Sequence, residues 1–161
     1  MTAAASPSLA DQLLDTWHIN NRIHLFLLEA LSPDALRGQL SSGGRDVAHQ
    51  FAHAHDVRLM WLKAAAPDLL SGLDKLGSVA APDHTQLAGA LEASSDAMAT
   101  LIARGLETGR IKSFKPHLTA FVGYLVAHES YHRAEICLAL TQSGHALPAK
   151  IAYGLWEWGS R

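Results

Sequence analysis

Four long stretches of the chain repeat apolar residues about every 3.6 positions, and none alternates with a period of two for long. That pattern is what an amphipathic helix needs to bury one stripe, and it limits the possible folds more than any other feature of the chain. The first stretch runs from about Leu9 to Leu31, with Leu13, Trp17, His24, Leu27 and Leu31 on or near one stripe, and Ser32-Pro33 ends it. The second runs from about Arg45 to Ala66 through Val47, Phe51, Ala54, Val57 and Trp61, and stops before Pro67. Asp83, with Gln86 three residues on, is a capping-box start for the third, which continues through Leu87, Leu91, Met98 and Leu101 to about Glu107. The fourth runs from about Leu118 to Gln142 and meets a stop signal at Ser143-Gly144. The connectors read as short enough to join antiparallel neighbours. The expectation is an all-α protein: one antiparallel four-helix bundle domain over residues 1–161, with a short aromatic C-terminal tail whose Tyr153, Trp156 and Trp158 pack over an end of the bundle.

A chain of 161 residues is long enough to bury one sizeable core. Its 48% hydrophobic and 17% charged residues are those of an ordinary globular protein. The net charge of −2 lacks the basic footprint of a nucleic-acid binder, so no nucleic acid is expected as a partner. The longest apolar run, Leu118 to Ala127, is interrupted by Thr119 and Gly123 and is about half what a bilayer span needs, so no membrane is expected either. MTAAASPSLADQ at the N-terminus has neither the basic segment nor the apolar run of an export signal, and the expected location is cytoplasmic. Cys137 is the single cysteine, which excludes an intrachain disulfide and a cysteine-cluster metal site. The connector Thr108 to His117 gathers Arg110, Lys112 and Lys115 around Phe114 in a hairpin-like loop, either plainly solvated or placed to meet an anionic cofactor.

Ten histidines are an excess for this length, and HESYHR, His128 to Arg133, sets two of them four positions apart. Residues at that spacing differ by about 40° around a helix and about 6 Å along it, so both rings can aim at one point. The inward track of the fourth helix, followed from Leu118, Phe121 and Leu125, passes through His128, His132, Ile136 and Ala139. Two buried neutral imidazoles need partners, and a metal ion would take a lone pair from each. The second helix offers His49, His53 and His55; His53 lies at the edge of the apolar stripe, His49 follows the same flank one turn earlier as a reserve, and His55 points away. Three imidazoles from two helices would leave coordination positions open, the arrangement of a catalytic metal; imidazole suits zinc, nickel, copper and ferrous iron and does not identify the ion, and the expectation is a divalent transition ion, zinc or nickel foremost. Water or a thiol on such an ion is acidified towards neutrality.

The segments AHAHDVRLMWL, HESYHRAEI and LWEWG together resemble the DinB/YfiT-like metal proteins over most of the chain. That resemblance implies a four-helix bundle, often a homodimer, with a divalent ion held by His53, His128 and His132. It further implies a small-molecule substrate or a low-molecular-weight thiol such as bacillithiol, mycothiol or glutathione, and thiol transferase, thiol-dependent isomerase or hydrolase chemistry. Tyr131 stands where a histidine is common and Ala134-Glu135 where Gly-Gln is common, departures that bear on the substrate more than on the metal.

Asn20 and His24 fall one turn apart on the inner side of the first helix, where they read either as cofactor or substrate contacts lining the same cavity or as a hydrogen-bonded core pair. Glu129 has two roles open to it, an i to i+4 pair with Arg133 or a contact to a ligand imidazole. A zinc peptidase would use Glu129 as its base, but an all-helical chain has no strand-edged cleft for a peptide, and a di-iron carrier would need inward bridging carboxylates that are lacking. Two functional classes remain. One is a metal-dependent enzyme acting on a thiol or water; the other is a non-catalytic dimeric bundle whose ion is structural or regulatory.

Overall fold

The computed structural model describes residues 6–161. Four long helices form the bundle: α1 (Leu9–Glu29), α2 (Val47–Ala65), α3 (His84–Thr108) and α4 (Leu118–Gln142), followed by the short α5 (Ala149–Gly154). Among the described residues there is no strand, only an isolated bridge between Gln39 and Asp46. The helix ends follow local chemistry. Asp83 and Gln86 cap α3 reciprocally, and Gly109 closes it in the left-handed conformation at φ 71°. Ser8 and Asp11 make a second capping box, at the start of α1.

Two apolar clusters show which way each helix runs. One joins Leu27 and Leu28 of α1, Val47 and Phe51 of α2, Leu87 and Leu91 of α3, and Ile136 and Leu140 of α4. The other joins Trp17, Leu62, Met98, Ile102 and Phe121 at the opposite end. Thus α1 and α2 are antiparallel, as are α3 and α4, while α2 and α3 run in the same sense. The expected short connector therefore fails at residues 66–83, which must travel the length of the bundle before α3 can start. Leu69, Leu70 and Leu73 pack on the second cluster and Leu76 on the first, so this strap runs back along α2. It is tied down by Asp56, whose carboxylate accepts from the Leu76 and Gly77 amides at 2.9 and 3.0 Å. His55 Nε2 lies 2.9 Å from the Asp74 carbonyl, His49 Nε2 lies 3.0 Å from the Val79 carbonyl, and Arg37 donates to the Pro82 carbonyl at 2.9 Å.

Between the two apolar clusters lies a buried polar layer built by Asn20, Asn21 and His24 of α1, Arg58 of α2, Ser94 of α3 and Glu129 of α4. Arg58 is 0% exposed and reaches Glu129, Asn21, Ser94 and the Leu91 carbonyl, so its donors are spent on four partners.

The tail differs from expectation. Tyr153 and Trp156 stand out in solvent, 73% and 81% exposed. The contact with α1 is made instead by Gly154, where a Cβ would come within 2.7 Å of the Phe26 ring, and by Arg161, whose guanidinium sits 3.7 Å over the same ring. No helix among the described residues is long and apolar enough to cross a membrane.

Candidate metal centre

His53 of α2 meets His128 and His132 of α4 where the two helices pack, and one nitrogen from each ring lies within 4.8 Å of the others. His128 Nε2 and His132 Nε2 are 3.2 Å apart. Metal–nitrogen bonds of about 2.0–2.1 Å place neighbouring ligand nitrogens roughly 3.0–3.4 Å from one another, so the pair is already spaced for one ion. His132 is also oriented for it. Its Nδ1 lies 2.9 Å from Gln50 Oε1 and 3.0 Å from Glu135 Oε2, acceptors that keep the proton on Nδ1 and leave the Nε2 lone pair free. Gln50 in turn donates to Glu135 at 3.0 Å, locking the two supports together. His128 stacks on Tyr124 with ring centroids 6.0 Å apart, which fixes its plane.

Electrostatics favour the unprotonated, ligating form of all three rings. Burial lowers the pKa of His53 to about 4, and Arg45 and the two neighbouring imidazoles add to the effect. Burial also lowers His128 and His132, with Glu135 partly offsetting the shift at His132. Arg45 acts on all three, yet it makes no hydrogen bond or ion pair among the described residues. It lines, with Arg37, His49 and His53, an open cavity of about 860 Å³. Of the three ligand candidates, His53 thus forms part of the wall of a water-accessible space, under the uncommitted positive charge of Arg45.

Glu129 takes neither role open to it in the sequence. The innermost track of α4 passes through Phe121, Leu125, Glu129 and Ile136, each at most 1% exposed, and His128 sits at its rim. A carboxylate at that depth needs a buried cation. Arg58 supplies it by donating from Nε to Oε1 at 2.7 Å and from Nη2 to Oε2 at 3.0 Å. Burial alone would raise the Glu129 pKa, but Arg58 and His24 outweigh it and hold the group far below the usual carboxylate range. Arg133 donates instead to Asn20 and Ser130. Held in this way, Glu129 cannot serve as a peptidase base.

Asn20 and His24 are placed in this closed interior, with no exposed surface, rather than on the wall of the cavity that His53 lines. Asn20 donates to Glu129 Oε2 at 2.6 Å. His24 Nε2 lies 2.9 Å from the same oxygen, too misaligned for a good hydrogen bond, and both its ring nitrogens lack a hydrogen-bond partner. Burial lowers the His24 pKa to about 4, helped by Arg133. His49 is engaged by Asp46 at 2.7 Å and by the strap, and His55, 1% exposed, faces α3 and the strap. The cation near the imidazoles comes from Arg45 in the α1–α2 connector, not from Arg110, Lys112 or Lys115.

The arrangement can be compared with known proteins. A protein-family model described as the DinB family matches residues 1–158. The chain belongs to the DinB family. No curated protein and no solved structure matches it. As a DinB protein it carries a three-histidine group able to bind a metal ion. Arg58, Gln50, Glu135 and Arg45 complete the surroundings. A signal for Glu135 was present, since it stands one turn after His132, and Arg58 lies one turn beyond Ala54 on the second helix's stripe; Arg45, on a loop, left none.

Proposed function

We propose that this DinB protein is a metal-dependent enzyme in which His53, His128 and His132 hold one divalent ion, zinc or nickel foremost, and act on a thiol or water in S-transfer or hydrolysis. When bound at three imidazoles, such an ion acidifies a coordinated thiol or water towards neutrality. The reading rests on one observation: His53 lines an open cavity of about 860 Å³ instead of being sealed in the core. A small-molecule substrate fits that volume. Gln50 and Glu135 keep the proton of His132 on Nδ1, and Tyr124 holds the His128 ring. Arg45 attracts an anionic substrate, a thiolate or carboxylate, to the mouth of the site. Asn20 serves as a positioning residue by donating to Glu129, the neighbour of His128, and His24 closes the layer against the same carboxylate oxygen.

A second reading, a non-catalytic dimeric bundle with a structural ion, draws on the outer face of α4, where Tyr131 and Leu138 are 62% and 50% exposed. Elemental analysis tests the shared claim: wild-type protein carries one equivalent of metal, and the H53A, H128A and H132A variants carry none, while H55A keeps it. One equivalent retained by all three variants overturns the site. Turnover of monochlorobimane with a low-molecular-weight thiol, present in wild type and lost in H132A, separates the enzyme from the structural reading.

A further inference from the structure

The buried polar layer is one negative charge short. Both oxygens of Glu129 accept hydrogen bonds, Oε1 from Arg58 and Oε2 from Arg58 and Asn20. Arg133, only 8% exposed, has two neutral partners, Asn20 Oδ1 at 2.9 Å and Ser130 Oγ at 2.7 Å. Among the described residues no carboxylate lies within ion-pair distance of it. Glu157, the acidic residue of the tail, faces Arg161 at 3.6 Å. A guanidinium this deep without a carboxylate is costly unless something outside the chain supplies one.

Arg133 opens onto a second cavity, of about 510 Å³, between α4 and the C-terminal tail. Leu147, Leu155, Trp156 and Trp158 line it, and Arg133 is its one charged wall residue. Aromatic and aliphatic walls with a single guanidinium at the base suit a ligand with a planar anionic head and an apolar body. We infer that this groove binds an amphipathic carboxylate, its head on the Arg133 fork and its body against the Leu147, Leu155 and Trp156 side chains. The site does not depend on the reading of the histidine group, which opens on a different cavity lined by other residues. It also explains why Trp156 projects into solvent: the ring stands as an open wall.

The test uses decanoate as probe and decanol as its uncharged counterpart, followed by calorimetry and tryptophan emission. Decanoate is expected to bind once per chain, at least about tenfold tighter than decanol, as a charge-assisted pair implies. Ala134 is exposed and lines the groove, so A134W fills it from outside; that variant should lose decanoate binding while keeping its melting temperature. R133M should bind both probes equally, and if it does not fold, A134W and the decanol comparison decide. Binding should persist in H53A, which distinguishes the groove from a carboxylate held at the histidines. Equal affinity for the two probes, binding that survives A134W, binding lost in H53A, or a dimer in light scattering that A134W dissolves while decanoate never binds would each overturn the assignment.

Discussion

Within HESYHR, His128 and His132 turn towards α2 and His53, whereas Glu129 and Arg133, each one residue later, turn towards α1 and the buried polar layer. A step of one residue rotates the helix by about 100°, so a single short motif supplies two sites with opposite properties. At the outer site the imidazoles are close together with nitrogens to spare, and His128 Nδ1 is buried without a partner. At the inner one, Arg58 and Glu129 meet in two hydrogen bonds and Asn20, Asn21 and Ser94 add further partners, while His24 keeps both ring nitrogens without one. The first arrangement offers lone pairs to a ligand; in the second the Arg58–Glu129 pair is satisfied within the chain, while Arg133 beside it has only neutral partners.

If the inner site is structural, breaking it has the larger effect on stability. E129A leaves Arg58 as an uncompensated charge at 0% exposure, and removing one member of a buried pair costs about 3–5 kcal/mol. For a chain of this length each kcal/mol lowers the melting temperature by roughly 2–4 °C, so calorimetry should show a fall of about 10 °C or more. The double variant R58M/E129M should recover much of the loss, because apolar side chains of similar volume need no compensation. A melting temperature for E129A within about 2 °C of wild type would show that the layer contributes little to stability.

The next effect is one of pH. His24 has its pKa lowered from 6.5 to about 4 by burial, so the unfolded chain takes up a proton in this range and the folded one does not. The stabilisation is fully present above pH 6.5 and is lost as the pH falls towards 4, in total about 3 kcal/mol. Urea denaturation of the metal-free protein should show that decline, and H24Q should make it shallower by the share of one proton, the lowered groups His53, His128 and His132 supplying the rest. An equal slope in both proteins would place the acid sensitivity elsewhere.

Much of this comparison could be read from sequence, and the residues that could not share a physical reason. Helix ends were legible because caps are local: Asp83 and Gln86, or Ser143-Gly144, announce themselves within a turn. The convergence of His53 with His128 and His132 was legible because spacing of four on one helix and stripe position on another need only helical geometry. Glu129 was misread because its partner, Arg58, lies on another helix and no periodicity predicts which inward polar residue finds a countercharge. The strap at 66–83 was misread as a short link, since its length is set by the relative direction of α2 and α3, which only the packed clusters show. Arg45 is a loop residue whose importance depends wholly on what it faces.

The smallest effect belongs to the outer site and sharpens the contrast most. Glu135 supports His132 through Nδ1 and is shared with Gln50, so E135Q removes an anionic acceptor while leaving Gln50 Oε1 at 2.9 Å in place. Loss of such an outer support lowers metal affinity by about 10- to 100-fold, and with one acceptor retained the change should fall near tenfold, about 1.4 kcal/mol. The Q50A/E135Q double variant, with neither acceptor, should approach the upper figure. Because Glu135 is at the surface of the α2–α4 packing and bonds no member of the Glu129 layer, the metal-free fold of E135Q should keep its stability within about 0.5 kcal/mol. Competition with a chelating dye measures the first quantity and urea denaturation of the metal-free protein the second. A variant that loses fold stability but keeps its affinity would mean that Glu135 belongs to the scaffold, and that the boundary between the two halves of HESYHR lies one helical turn from where the geometry draws it.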